Sequence, residues 1–322
     1  MQDTSRPGAL VKSQYESLGT PNRSDWSAPV RRRVALLGAV SAFPAGLRAS
    51  VPAAHPNVPS APRSLDATSW APPNPDGYLY DRIAAIPRPQ GSVGVAVQHL
   101  TSGQGASVDA DKIVPPASLF KLGIMVAVMR AIDAGTLSAE TLLEIHEEDW
   151  APGAGLLQDR IGEVISVDDA LRLMIGISDN VAAFVLLRVL GVRRLNEVTA
   201  SLGMTRTTFY VDDRPDETSA GDVATVLARI ATGEAAGVAS TRSMLALMSQ
   251  RQPAAWIRHA LRDVVPVAHK SGQLPGVRND AGIITAPGGP YVLAVLTQDL
   301  VDDASGERYI AEVARAIDQY FA

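Results

Sequence analysis

The first candidate for chemistry is a serine followed three positions later by a lysine, at the start of an apolar stretch. Ser118 and Lys121 precede a run of Leu, Ile, Met, Val and Ala that extends to residue 133. Residues three apart on a helix share a face, so the amine lies within reach of the hydroxyl. A lysine in apolar surroundings loses its proton easily, and a neutral amine activates a neighbouring serine hydroxyl. The pair therefore predicts nucleophilic serine chemistry.

The helix that carries this pair has clear boundaries in the sequence. Pro115 and Pro116 precede it, where proline is tolerated at a helix start, and Gly135 supplies the stop. Because the helix is apolar all round, it belongs in the interior of a domain. Its first turn offers unpaired backbone N–H groups and the positive end of the helix dipole, which favour negative charge that develops at Ser118.

Lysine itself is scarce, occurring only at positions 12, 112, 121 and 270, while arginine supplies the other positive charges. A single Ser-x-x-Lys is often an accident on a solvated helix. Arginine does not deprotonate in a protein whereas lysine can, so a lysine inside an apolar helix indicates a titrating role.

Two further motifs follow in order. Ser178-Asp179-Asn180 lies at a break between two helical segments, and Lys270-Ser271-Gly272 ends a strand that begins at 264. Taken singly, each has a structural explanation, as a helix cap or as a charge at a strand edge. Together with Ser-x-x-Lys they make the signature of serine β-lactamases and penicillin-binding proteins.

On these motifs, and on its order of strands and helices, the chain resembles the class A β-lactamase-like serine hydrolases over nearly all of residues 76 to 322. The resemblance and the chemistry of acyl transfer imply that Ser118 attacks a carbonyl and that neutral Lys121 accepts its proton. Ser178 relays a proton to the departing nitrogen. The backbone N–H groups of Ser118 and Gln273 serve as oxyanion donors.

The same resemblance implies a set of substrate-binding residues. Lys270, counted with the catalytic residues, holds a positive potential beside Ser178 and attracts a substrate carboxylate. Ser271 offers that carboxylate a hydroxyl, and Arg278 adds charge. Asn180 holds Lys121 and binds the substrate's side-chain amide. The predicted binding residues are Asn180, Ser271, Gly272, Gln273 and Arg278.

One departure concerns the second half of the reaction. The Glu-x-x-Leu-Asn pattern of the family, which activates the water that removes the acyl group, is missing. The stretch 205–213 runs almost directly into a helix at Thr218. Asp212 is the nearest candidate base and Glu217 the next, and each also fits a solvated loop acid.

The periodicities predict an α/β (α+β) fold. Strands are expected at 92–97 and 106–110, and again at 264–269, 281–286 and 291–297, with helices between the two groups. This order implies an antiparallel sheet built from both chain ends and flanked by helices, with an inserted all-α lobe. The α/β lobe is assigned to 76–135 and 255–322 and the helical lobe to 136–254.

Residues 1 to 75 differ from the rest, being rich in Pro, Ala, Ser and Arg without a sustained period. Arg31-Arg32-Arg33, the apolar stretch 34–43 and small residues up to Ala53 follow the order of an export signal of the twin-arginine type. The apolar stretch is too short to span a bilayer. We therefore expect an exported protein, with a merely disordered arm as the alternative.

Composition excludes several other classes. The net charge of −5, without a basic patch, argues against nucleic acid, and the absence of cysteine excludes disulfides and thiolate sites. There is no His-Glu-x-x-His, Gly-x-Ser-x-Gly or phosphate-binding glycine pattern, so neither a metal nor a cofactor is predicted.

Three hypotheses result for a protein expected to act as a monomer. It hydrolyses β-lactams through an acyl-enzyme on Ser118; or it is a penicillin-binding D,D-peptidase or esterase that acts on peptidoglycan peptides; or it is a cell-wall-binding module without turnover.

Overall fold

The computed structural model describes residues 69–212 and 214–322. Their strands are β1 (Asn74–Pro75), β2 (Ser92–His99), β3 (Gln104–Val108), β4 (Leu142–Glu144), β5 (Val164–Ser166), β6 (Val267–Leu274), β7 (Val277–Ala286) and β8 (Gly289–Gln298). Six of them form one sheet in the order β1-β3-β2-β8-β7-β6. The β1–β3 pair is parallel and every other pair in this sheet is antiparallel.

The helices lie mostly between the two groups of strands. They are α1 (Gly77–Ala84), α2 (Phe120–Asp133), α3 (Val167–Gly176), α4 (Asn180–Leu190), α5 (Val192–Ser201), α6 (Ala220–Thr232), α7 (Val238–Met248), α8 (Trp256–Ala260) and α9 (Asp303–Phe321). Short 3₁₀ turns at Ala117–Leu119 and Glu147–Asp149 complete the set. The predicted fold class is confirmed: a mainly antiparallel sheet drawn from both chain ends is flanked by helices.

The central strands bury both of their faces, because helices cover the sheet on each side. In β2, the valines at 93, 95 and 97 pack in the same cluster as Ile310, Val313 and Ile317 of α9. Ala96 points the opposite way, into the larger cluster that contains α2. This alternation follows from the two-residue period of a strand. Each fully buried aliphatic side chain contributes about 1.5–3 kcal/mol to folding.

Helix α2 lies in the middle of the larger cluster. All ten residues from Phe120 to Met129 are buried, as expected for a helix apolar on every side. Gly123 permits a close contact, since a Cβ there would lie 3.1 Å from Leu195 of α5. The part of α2 from Phe120 to Met129, including the turn that carries Lys121, is therefore shielded from solvent.

The inserted segment differs from an all-α lobe in one place. Between α2 and α3 the chain forms the two-stranded ribbon β4–β5 and irregular loops. Pro152 and the glycines beside it interrupt any helical pattern there. The loop built in this way contacts the motif at 178–180, as described below.

The predicted export signal at Arg31–Ala53 lies outside the described residues and stays a prediction, as does the division into lobes. Within residues 69–212 and 214–322, the helices are all too short or too polar to cross a membrane.

Candidate active site

Ser118 lies in the 3₁₀ turn that leads directly into α2. The residue before it, Ala117, has a left-handed φ of 47°, a conformation that costs energy for any residue except glycine. Asn279 of β7 supports this turn from the sheet. Its Nδ2 donates to the carbonyl oxygens of Pro115 at 2.9 Å and Pro116 at 3.3 Å, and its Oδ1 accepts from Thr297 N–H. The strained turn is thus held in place by buried hydrogen bonds.

Lys121 is fully buried, and its Nζ is surrounded by oxygen atoms. Nζ lies 3.3 Å from Ser118 Oγ, 3.0 Å from Ser178 Oγ, 2.6 Å from Ser178 O and 2.7 Å from Asn180 Oδ1. A neutral amine has two hydrogens, which suit the carbonyl oxygens of Ser178 and Asn180, and a lone pair that accepts a hydrogen from a serine hydroxyl. The neutral form is therefore compatible with this set of partners.

The electrostatic environment of Lys121 also favours its neutral form. Burial holds the pKa of Lys121 well below its usual range, the positive charge of Lys270 lowers it further, and the carboxylate of Asp179 opposes both effects. Lys121 is consequently poised to accept a proton from a neighbouring hydroxyl.

Ser178 and Asn180 reach Lys121 because Asp179 organises the junction between α3 and α4. Its Oδ1 accepts from Ala182 N–H and caps α4, while its Oδ2 accepts from Leu156 N–H at 2.6 Å. Ser178 has a left-handed φ of 61°, which turns the chain sharply before α4. The motif is therefore the meeting point of two helices and a loop.

The loop at 152–156 closes over this junction. Asn180 Nδ2 donates to Pro152 O at 2.6 Å, and Asn180 N–H donates to Ala154 O. Gly155 passes so close to Asp179 that a Cβ would lie 2.5 Å from the carboxylate, and its φ is +145°. Glycine is needed there for both reasons. Neither Asp179 nor Gly155 was predicted to have a role, because their importance depends on contacts between separate segments.

The third motif lies on β6, at the edge of the sheet. Lys270 is buried, and its Nζ donates to Ser271 O at 2.8 Å and to Gln252 Oε1 at 3.4 Å. Burial lowers the pKa of Lys270 to about 7, against the opposing effect of Asp280. Ser271 Oγ donates to Ala254 O at 2.7 Å.

Gly272 brings this strand against the nucleophile. A Cβ at position 272 would lie 2.9 Å from the backbone nitrogen of Ser118, so a larger residue would force the strand and the turn apart. Gln273, the predicted second oxyanion donor, follows directly and is exposed. The motifs at 118–121, 178–180 and 270–272 are thus brought together at the beginning of α2.

Arg278, by contrast, is engaged with the C-terminal helix. Its guanidinium pairs with Asp303 at 2.8 Å and with Glu307 at 2.9 Å, and it donates to the carbonyls of Leu274 and Val277. It stands opposite Gln273 in the β6–β7 register. Two carboxylates therefore already share its charge, and its role toward a substrate stays a prediction.

The loop that follows α5 carries the candidate deacylating acids. Asp212 is exposed and forms a bidentate pair with Arg214, which lies over the ring of Tyr210; this pair lowers the pKa of Asp212. Glu217 accepts from Tyr210 OH at 3.0 Å. The hydrogen bonds of Asp212 thus lie within its own loop.

Asp216 was not singled out in the sequence. Its Oδ1 accepts from Tyr210 N–H, and burial raises its pKa to about 6. Backbone hydrogen bonds between Thr208 and Glu217 close the loop at its base. Only the folded loop distinguishes Asp216 from the neighbouring acids, because burial cannot be read from a run of charged residues.

The chain is similar to known proteins in both sequence and structure. Residues 78–321 match the family described as the beta-lactamase enzyme family. A β-lactamase of Streptomyces albus G is 27% identical over 296 residues, which cover 84% of this chain and 94% of that protein. The solved structure of PBP-A is similar with a TM-score of 0.73 and 28% identity, covering 79% of this chain and 99% of that one. A mutant of PBP-A, solved as an acyl-enzyme complex with penicillin G, is similar with a TM-score of 0.72 and 28% identity. The match covers 78% of this chain and 98% of that one.

Proposed function

The chain belongs to the beta-lactamase enzyme family, and from that premise we propose that it opens β-lactams through an acyl-enzyme on Ser118. The observation that carries this proposal is the environment of Lys121, whose buried Nζ contacts the hydroxyls of Ser118 and Ser178 together. A nucleophile and its base within hydrogen-bond reach are what acyl transfer by a serine requires.

In the first step, Ser118 Oγ attacks the lactam carbonyl carbon while its proton passes to neutral Lys121. The carbonyl oxygen becomes an oxyanion, and the backbone N–H groups of Ser118 and Gln273 donate to it. Support for this pair comes from Gly272, which lets β6 approach the Ser118 nitrogen. The dipole at the start of α2 favours the same charge.

In the second step, the tetrahedral intermediate collapses and the C–N bond breaks. The departing nitrogen takes the proton of Ser178 Oγ, and Ser178 recovers a proton from the ammonium of Lys121, 3.0 Å away. Lys121 returns to its neutral form and Ser118 carries the acyl group. This relay needs no side chain beyond those that already surround Nζ.

For the substrate carboxylate, we propose Lys270 and Ser271 as partners, with Arg278 as a more distant charge. Lys270 suits this role because its burial keeps the amine weakly solvated, so an anion is a strong partner for its charged form. Asn180, which is held by its hydrogen bond to Pro152 O, binds the side-chain amide of the substrate.

In this proposal, hydrolysis of the acyl-enzyme is the slower half of the reaction. Asp212 remains the base assigned from the sequence, yet its pairing with Arg214 depresses its pKa, whereas a general base works best with a pKa near the operating pH. This observation favours a second candidate function: a penicillin-binding D,D-peptidase or esterase that keeps β-lactams as a long-lived adduct.

Intact-protein mass spectrometry after mixing with penicillin G tests both candidates. We expect an adduct of one ligand per chain that is absent in Ser118→Ala and present in Ser107→Ala, a control serine on β3. An adduct that disappears within seconds, with matching nitrocefin turnover, supports the hydrolase, and one that lasts for hours supports the second candidate. Absence of any adduct on the wild-type protein excludes both.

A further inference from the structure

A short segment between α7 and α8 crosses the outer edge of β6 beside Lys270. Within it, Gln252 is only 4% exposed, although glutamine is usually a surface residue. Its Nε2 donates to the carbonyl oxygen of His269, and its Oε1 lies 3.4 Å from Lys270 Nζ. Two positions later, Ala254 O accepts the hydroxyl of Ser271. The segment therefore contacts three consecutive residues of β6.

The orientation of the Gln252 amide is determined by its partners. A glutamine side chain has one donor end and one acceptor end. The carbonyl of His269 accepts only, so it must face Nε2, and Oε1 is then directed to Lys270. When it is charged, Lys270 Nζ can only donate, and Oε1 of Gln252, whose orientation is fixed by His269, offers it an acceptor.

The contacts of Lys270 account for two of its three N–H groups. One is received by Ser271 O at 2.8 Å and one by Gln252 Oε1. The third is left for an anion in the site. The charged groups that interact with it are Asp280 of β7, which raises the pKa of Lys270, and Lys121 of α2, whose own pKa is lowered by the charge of Lys270.

The strand behind Lys270 is braced by a second buried pair. His269 Nδ1 lies 3.2 Å from Asp280 Oδ1, and Asp280 Oδ2 accepts from Ile257 N–H of α8. The backbone of β6 is thereby fixed on both sides of the lysine. The end of the long Lys270 side chain is held by Ser271 O and by Gln252 Oε1, and Gln252 is the side chain among these two partners.

We propose that Gln252 is a positioning residue that holds the ammonium of Lys270 charged and directed at the carboxylate of the ligand. This inference rests on the proposed function, since it requires that Ser118 be acylated by a ligand that carries a carboxylate. Gln252 itself touches neither the ligand nor the reacting atoms; it acts through Lys270.

The test compares penicillin G with its methyl ester, which has the same lactam but no anion. The second-order rate of adduct formation is measured for both ligands on the wild-type protein and on Gln252→Met, which keeps the length of the side chain and removes both hydrogen bonds. We expect the rate with penicillin G to fall by about tenfold or more, the effect of a lost hydrogen bond to a charged group. The rate with the ester should change by less than about threefold, because no anion contacts Lys270.

A matched control is available on the far side of the sheet. Gln104 of β3 also makes two side-chain hydrogen bonds, to Asp76 and Tyr320. Gln104→Met should leave the rates of both ligands unchanged. If Gln252→Met does not fold, as judged by thermal melting, Gln252→Ala takes its place. The readout is then again the loss of rate with penicillin G compared with the loss of rate with its methyl ester.

The outcomes separate this inference from the function on which it rests. An equal loss of rate with both ligands, or no loss with either, means that Gln252 only supports the strand and overturns the inference alone. A wild-type protein that forms no adduct with either ligand overturns the proposed function and the inference together. A selective loss with the carboxylate ligand supports the positioning role.

Discussion

The start of α2 and the loop at 208–217 carry the two halves of the proposed reaction, and they are built in opposite ways. At the start of α2, Ser118, Lys121 and Lys270 are buried and are supported from β6, β7 and the α3–α4 junction. In the loop, Asp212 is exposed and pairs with a residue two positions away. The first region depends on distant segments, whereas the second is held mainly by its own residues.

This difference has a physical consequence for the chemistry. Burial shifts the pKa of a lysine far enough to make it a base, and only a well-packed interior supplies that burial. A surface acid paired with an arginine keeps an ordinary or lowered pKa and remains a weak base. The proposed acylation is therefore supported by more of the structure than the proposed hydrolysis, and five predictions sharpen or break that contrast.

The largest effect is expected from Lys121→Met. Removal of the general base should slow acylation of Ser118 by penicillin roughly 10²–10⁴-fold. The melting temperature should not fall, because the variant no longer buries an amine. Quenched-flow mass spectrometry measures the rate. Lys112→Met, which loses only a surface contact with Ser92, is the control. Acylation of the Lys121 variant within about threefold of wild type would remove the proposed base.

A second effect is expected in the pH dependence of acylation. The folded pKa of Lys270 is lowered to about 7, so the charged form that attracts a carboxylate is present below that pH and is lost above it. The second-order acylation rate with penicillin should therefore fall by roughly tenfold for each unit above pH 7. Lys270→Arg stays charged throughout and should show no such fall. Identical pH–rate profiles for the wild-type protein and Lys270→Arg would contradict the assignment of the fall above pH 7 to Lys270.

The same pKa predicts how stability varies with pH. The unfolded chain binds the Lys270 proton up to about pH 10 while the folded chain releases it near 7, so this residue makes the free energy of unfolding rise between those values. In Lys270→Met that contribution disappears. Urea unfolding at pH 7 and pH 9.5 measures the change, and a slope equal to wild type would mean that the amine is charged in the folded state throughout.

A smaller effect is expected from Asp179→Asn. The carboxylate accepts from Ala182 N–H and Leu156 N–H, and an amide replaces one acceptor by a donor. The free energy of unfolding should fall by about 1–3 kcal/mol, and acylation should slow because Asn180 and the loop at 152–156 shift. Asp168→Asn, which weakens an exposed pair with Arg172, should change stability by less than about 1 kcal/mol. Equal losses in both variants would show that the junction is not specially supported.

The smallest effect is expected from Asp212→Asn. The ion pair with Arg214 is fully exposed to solvent, which screens its contribution to stability, and the proposed acylation does not use this loop, so both stability and acylation rate should stay near wild type. The informative measurement is the lifetime of the penicillin adduct, which we expect to change by less than about twofold. A lifetime at least tenfold longer would instead assign the deacylating base to Asp212 and erase the contrast between the two regions.

Much of the architecture was accessible from local patterns. Alternating valines marked β2, the hairpin signal at Pro287–Pro290 marked the connection between β7 and β8, and an apolar run marked α2. The ribbon β4–β5 was missed because its strands have three residues each, too few to show a period. Gln252 was missed because an isolated polar residue carries no signal of its burial, and Asp216 because it stands in a run of charged residues.

By itself, the sequence determined which side chains are present and where the elements that carry them begin. It also placed Ser118 and Lys121 on one helical turn, since a spacing of three is a local property. The tertiary structure alone decided the state of those side chains. The pKa of Lys121 is lowered because distant segments exclude water from it, and because Lys270, on a strand near the other end of the chain, adds a like charge. Solvation and long-range charge depend on what surrounds a group in space, and the order of residues does not contain that information.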